Sequence, residues 1–247
     1  MVCEKMLSVI VPTYNEATKL TETVKNAIDT LESRHIKYEL IIVNDGSKDD
    51  TWEKSLSIAE QHSTVRVFGY KQNKGKGYAL KYGFQFTKGD PVLFLDSDLE
   101  LPPFQIPGFL EYMLEDDVDI VIGSKRHPLS QAEVTFIRRF LSKGYNLLVK
   151  LLLNLDVTDV LVGLKLYRRK VLEQIFPKLT VHRYAFDVEL LANARRAGYN
   201  IREAPVELNY RFNSRIVIRG IWRIFVDTMM IFYRMKVLHN YDKRDNK

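Results

Sequence analysis

Val92-Leu93-Phe94-Leu95-Asp96-Ser97-Asp98-Leu99 is a short apolar run that ends in two carboxylates one residue apart. It lies between Gly89-Asp90-Pro91 and the pair Pro102-Pro103. An apolar run of this length, bounded by turn residues, predicts a strand of a parallel sheet buried on both faces. Two acids at the end of such a strand are costly to desolvate unless a cation sits with them. A divalent cation such as Mg²⁺ or Mn²⁺ meets that need, because hard cations take oxygen ligands from carboxylates and from substrate phosphates. A lone Asp-x-Asp is also a common turn, so the surrounding chain has to decide.

The same pattern recurs: a Val/Ile/Leu-rich run, a polar or Gly-containing turn, then helical periodicity. Besides 92–95, it occurs at 7–12, 38–43, 65–70 and 118–122. Strands alternating with helices predict an α/β fold, with a mainly parallel sheet and helices on both faces. In such sheets ligands bind beyond the carboxyl ends of the strands, so motifs distant in sequence converge on one edge.

The 247 residues, 46% hydrophobic and 28% charged, suffice for one large domain with a substantial core. The single cysteine, Cys3, excludes an internal disulfide framework and a cysteine-rich zinc site. No uninterrupted apolar stretch reaches the ~18–20 residues of a membrane span, and the opening run reads as a first strand rather than a signal peptide. The net charge of +6 suits nucleic acid, anionic lipid or phosphorylated substrates alike.

Each strand end carries polar residues with two readings. In Pro12-Thr13-Tyr14-Asn15-Glu16, Thr13 or Asn15 caps the next helix with Glu16 near its positive end, which leaves Tyr14 unexplained. In Val43-Asn44-Asp45-Gly46-Ser47, Asp45 is either a turn residue or an acceptor for nucleobase N–H groups. Asn73-Lys74-Gly75-Lys76-Gly77 combines glycines that permit close backbone approach with lysines suited to phosphate. It matches neither the P-loop nor the dinucleotide-binding fingerprint.

In this order and spacing, these four segments resemble the inverting glycosyltransferases of family 2, with the GT-A fold. The resemblance implies that Pro12, Tyr14 and Glu16 bind the nucleotide and that Asp45 recognises the base. It also implies that Asp96 and Asp98 hold Mg²⁺ or Mn²⁺ on the donor diphosphate, with Lys76 lining the donor site. Further on come Gly123-Ser124-Lys125-Arg126-His127-Pro128, Asp159 with Gly163-Leu164-Lys165-Leu166-Tyr167, and Phe186-Asp187-Val188-Glu189-Leu190-Leu191. These resemble the members that glycosylate polyprenyl phosphates, the dolichyl-phosphate mannose and dolichyl-phosphate glucose synthases. The Gln-x-x-Arg-Trp of processive polysaccharide synthases is absent. The chain departs from the usual pattern at Asn44, at Lys125 and at Asn213-Ser214-Arg215.

The implied reaction moves a hexose from UDP-glucose or GDP-mannose to dolichyl or polyprenyl phosphate. A phosphate monoester is already an anionic nucleophile near neutral pH, so the site needs charge neutralisation more than a strong base. Lys125, Arg126, Arg211 and Arg215 are the candidate cationic collar. Asp187 either sits in the first turn of a helix over 186–197 or faces the acceptor. A saccharide-hydroxyl acceptor would instead make Asp187 or Glu189 indispensable as a base. A non-catalytic lipid- or nucleotide-binding module has no use for the Asp96/Asp98 pair, and no nucleic-acid-binding signature is present.

Two segments are basic and amphipathic. Residues 216–238 set Arg219, Arg223 and Arg234 beside Trp222, Phe225, Met229 and Phe232, and 134–155 sets Arg138, Arg139, Lys143 and Lys150 against Leu147, Leu148 and Leu151. They predict membrane-interface helices and peripheral association with the cytoplasmic face of a membrane. The alternatives are mutual packing, a homodimer interface or a separate membrane subunit. The expected organisation is a transferase domain over 1–215 and an amphipathic appendage over 216–247.

Overall fold

The computed structural model describes residues 5–115, 117–130, 136–183, 185–209 and 218–241. Among these residues, seven strands form one sheet: β1 (Leu7–Thr13), β2 (Tyr38–Asp45), β3 (Val65–Tyr70), β4 (Val92–Leu95), β5 (Ile120–Ser124), β6 (Leu164–Tyr167) and β7 (Ile201–Pro205). Their order is β3-β2-β1-β4-β6-β5-β7. Every pairing is parallel except those of β6, which runs antiparallel between β4 and β5. The five expected strands are present, the last beginning at Ile120 rather than 118; β6 and β7 are additions to the sequence reading.

The alternation of side chains along each strand divides the core into two layers. Leu7, Val9 and Val11 of β1, Leu40 and Ile42 of β2 and Leu93 and Leu95 of β4 face one side. There they meet Leu20, Val24, Ile28 and Leu31 of α1 (Leu20–Ser33) and Phe109 and Met113 of α4 (Ile106–Glu115). Ile10, Ile41, Val43 and Phe94 face the other side. They are covered by α3 (Lys76–Phe84), α5 (Phe136–Leu153), α6 (Arg169–Ile175) and α7 (Phe186–Arg196). Helix α2 (Thr51–Gln61) connects β2 to β3.

Helix α8 (Ile218–Phe232) continues into a π-helical turn over Tyr233–Val237. Ile231, Met235 and Tyr241 join the core on the α7 side. The Tyr145 hydroxyl of α5 lies 2.8 Å from the Thr228 hydroxyl of α8. The other side of this segment exposes Phe225, Val226, Met229, Met230, Tyr233, Val237 and Leu238. No described helix is long and apolar enough to cross a membrane. The side chains of Arg138, Arg139, Arg219 and Trp222 lie outside the described residues.

Candidate active site

The carboxyl ends of β1, β2 and β4 open into a cleft of about 470 Å³. Its lining joins residues at those strand ends, Pro12, Thr13, Tyr14 and Glu16, then Asp45, then Asp96 and Asp98, with Asn73 and Lys76 of the segment after β3. Asp187 at the start of α7, Arg183, Leu161 and Ile224 of α8 complete the wall.

The segment after β1 is held by its neighbour rather than by a helix cap. Helix α1 begins at Leu20, and neither Thr13 nor Asn15 caps it. Asn15 adopts a left-handed backbone, φ 55°. Its N–H donates to the Ser47 hydroxyl at 3.0 Å, and its side-chain carbonyl accepts from the Lys48 N–H at 2.8 Å. Burial raises the Glu16 carboxyl above its ordinary range. The Thr13 hydroxyl is buried without a hydrogen-bond partner among the described residues.

Asp45 organises the glycine-rich segment. One carboxylate oxygen accepts from the Tyr70 hydroxyl and the Lys74 N–H, both at 2.7 Å. The other accepts from Asn73 Nδ2 at 2.8 Å and the Gly75 N–H at 2.9 Å. Four donors fill the roughly four acceptor positions of a carboxylate. Base recognition by Asp45 therefore requires one of them to yield. Gly75 takes φ +99°, and a Cβ there would lie 2.6 Å from the His182 carbonyl oxygen. The same carbonyl accepts from the Gly77 N–H at 2.9 Å, which ties the segment to the chain leading into α7.

Lys76, the first residue of α3, reaches Asp96 with Nζ 2.6 Å from one oxygen and 2.8 Å from the other. Enclosure alone would lower its ammonium, but Asp96 and then Asp187 outweigh this and hold it above the ordinary lysine range. Asp98 lines the cleft, half-buried, and accepts from the Glu100 N–H at 3.0 Å. Burial, with the Asp96 charge adding, raises its carboxyl above the usual value. A buried acid beside a second acid gains from a nearby cation. Among the described residues no cluster of three His, Cys, Asp or Glu side chains supplies a complete cage. Two carboxylates with positions left for phosphate and water are the donor set Mg²⁺ and Mn²⁺ use at diphosphates, so the residues fit such an ion.

Asp187 lies in the first turn of α7, buried. It pairs at 2.6 Å with Lys165 of β6, whose side chain is 1% exposed. Lys165 also donates to the Val162 carbonyl at 2.6 Å. Burial lowers the Lys165 ammonium from the usual lysine range, although Asp187 pulls the other way. Glu189, two residues on and so on the other side of the helix, points into the protein. It accepts from the Thr180 and Val181 N–H groups and from the Thr180 and Tyr241 hydroxyls, which makes it a structural clamp.

The cleft thus gathers Pro12, Tyr14, Glu16, Asp45, Lys76, Asp96, Asp98 and Asp187. Among the described residues, it does not gather Lys125 or Arg126 of the expected collar. Lys125 pairs with Glu100, and the Arg126 N–H donates to the Ser124 hydroxyl at 3.2 Å; neither side chain is in the cleft lining. Arg211 and Arg215 lie outside the described residues. The cation that sequence reading missed is Arg183, and the missed supports are Gly163 and Lys165. Gly163 and Lys165 stand in a quoted motif, yet without the strand assignment nothing aimed them at the cleft.

The profile described as "Glycosyl transferase family 2" matches residues 8–176. A dolichyl-phosphate beta-glucosyltransferase of Trichomonas vaginalis is 34% identical over 96% of this chain and 77% of its own length. The dolichyl-phosphate beta-glucosyltransferase of Homo sapiens is 32% identical over 95% of this chain and 76% of its own. Among solved structures, glucosyl-3-phosphoglycerate synthase from Mycobacterium tuberculosis with Mn²⁺, UDP-glucose and phosphoglyceric acid superposes with a TM-score of 0.71. It is 21% identical and covers 93% of this chain and 80% of its own. With the strand-end motifs lining one cleft on a GT-A sheet, the chain belongs to glycosyl transferase family 2 and is a glycosyltransferase.

Proposed function

We propose that the protein transfers glucose from UDP-glucose to the phosphate of dolichyl phosphate, at a membrane surface and with Mg²⁺ or Mn²⁺. The observation that carries the reading is that one cleft gathers Pro12, Tyr14, Glu16 and Asp45, the acids Asp96 and Asp98 with Lys76, and Arg183, Asp187 and Ile224. The names of the sequence relatives support the donor sugar and the acceptor.

In this reading Pro12, Tyr14 and Glu16 hold the nucleoside, with Asp45 shaping the wall behind it. Asp96 and Asp98 hold the metal, which when bound neutralises the diphosphate and stabilises it as a leaving group. Lys76 supplies positive charge on the same diphosphate, and Arg183 draws the acceptor phosphate. An acceptor phosphate oxygen forms the new bond to the anomeric carbon as the bond to the β-phosphate oxygen breaks. The bonding pair leaves with UDP, and the configuration at carbon inverts. A dianionic acceptor has no proton to lose, so no general base is required. Asp187 faces the transferred sugar.

Helix α8 links this cleft to the membrane. Ile224 lines the cleft, while the next residues open an exposed apolar groove between Phe225, Val226, Met229, Met230, Tyr233 and Leu238. Arg223 and Lys236 are exposed beside it, and Leu147 and Leu151 are exposed on α5. Apolar side chains with a basic rim suit an anionic membrane surface. The test is transfer of labelled sugar into a lipid extract, with flotation on anionic vesicles as its companion: the protein floats, and loses flotation when Met229 and Met230 become serine.

A further inference from the structure

Alternate residues of a strand share one face, and on β6 that face runs beneath the acids of the cleft. Just before β6, a Cβ at Gly163 would fall 2.1 Å from an Asp96 carboxylate oxygen. Two residues on, Lys165 holds Asp187 at 2.6 Å. Two further, Tyr167 is fully buried, its hydroxyl without a hydrogen-bond partner among the described residues.

We propose that Lys165 is a positioning residue for the transfer reaction: never touching substrate, it fixes the Asp187 carboxylate against the sugar end of the cleft. This rests on the glycosyl-transfer reading above. With its side chain 1% exposed, Lys165 is too enclosed to contact a ligand. Its ammonium is pinned on one side by the Val162 carbonyl, so the pair with Asp187 fixes the position of the acid. Stability does not account for such a pair, because buried ion pairs replaced by apolar residues of similar size are commonly as stable or more so. What the pair retains is the direction of a carboxylate that lines the cleft, held from β6, next to the Gly163 that sets the space for Asp96.

The deciding experiment replaces both partners, Lys165→Met with Asp187→Leu. The proposal expects a folded protein that binds UDP and Mn²⁺ as wild type does, with unchanged donor KM and a kcat lowered by about 100-fold, the scale of a substrate held out of line. Wild-type kcat in that variant would reduce Asp187 to a mere counter-ion for Lys165 and overturn the proposal. Lys165→Gln keeps an amide donor toward Val162 and Asp187 and decides the matter should the double variant not fold. A kcat lowered by about 10-fold at unchanged donor KM supports positioning, and an unchanged kcat overturns it. A wild-type protein that labels no lipid phosphate would remove the acceptor reading instead. The same variants are then compared on slow hydrolysis of UDP-glucose by water, which involves the sugar end of the cleft and no lipid.

Discussion

Gly163 leaves room for Asp96: a side-chain carbon at 163 would stand 2.1 Å from a carboxylate oxygen and 2.5 Å from the carboxyl carbon. The acid that bridges to Lys76 therefore owes its place to a missing methyl group on a neighbouring segment. Gly163→Ala should push Asp96 off Lys76. We expect kcat/KM to fall by about 100-fold, with weaker metal-dependent UDP binding and little change in circular dichroism. Wild-type kcat/KM in this variant would show that the position of Asp96 is immaterial.

The cleft-lining Asp98 yields a separable prediction. Asp98→Ala should lower transfer by about 1,000-fold or more and abolish the tightening of UDP binding by Mn²⁺. Calorimetric titration of UDP with and without the ion reads the second effect independently of turnover. Retained metal-dependent binding would place the ion elsewhere.

The C-terminal segment is tied to the same helix that carries Asp187. Tyr241 donates at 2.6 Å to the fully buried Glu189, and Arg234 donates at 2.6 Å to the Thr180 hydroxyl beside it. Tyr241→Phe removes one donor from a buried carboxylate and should cost about 1–3 kcal/mol, read as a lower midpoint in chemical denaturation. A chain ending at residue 215 loses Ile231, Met235 and Tyr241 from the core and should be destabilised further. Equal stability of the full and shortened chains would instead mark 216–247 as an appendage.

Near the start of β2, at the end away from the cleft, Glu39 gives a dependence on pH. Burial alone would raise its carboxyl, but hydrogen bonds from Ser8, the Lys88 and Gly89 N–H groups and Arg66 outweigh that and hold it below the usual range. A carboxyl depressed on folding stabilises the protein above its unfolded pKa, and that stabilisation disappears as pH falls through the folded value. Glu39→Gln should cost about 2 kcal/mol at neutral pH, and the gap to wild type should close as pH falls below about 4. A gap constant from pH 7 to pH 3 would contradict the assignment.

The five strands found by sequence each carry a Val/Ile/Leu-rich run ahead of a polar or Gly-containing turn, and tolerate a charge such as Glu39 or Arg66 within it. β6 escaped because it is only four residues, Leu164-Lys165-Leu166-Tyr167, and the buried Lys165 leaves too short an apolar run to read. β7 escaped as an edge strand, Ile201-Arg202-Glu203-Ala204-Pro205, with two charges and only Ala204 buried. The residues at the ends of β1, β2 and β4 were legible because topology alone collects them. Asp45 was legible as important but not in kind, since only the structure shows four donors closing around it. Lys125 could not be told from a cleft lysine until Glu100 was seen beside it.

The most direct measurement incubates the protein with radiolabelled UDP-glucose or GDP-mannose, Mn²⁺ and dolichyl phosphate, then extracts lipid. The account predicts label in the lipid phase from UDP-glucose, little from GDP-mannose, and none with the Asp98→Ala variant or with the metal chelated. Lipid that stays unlabelled while a water-soluble saccharide takes up the sugar would contradict it.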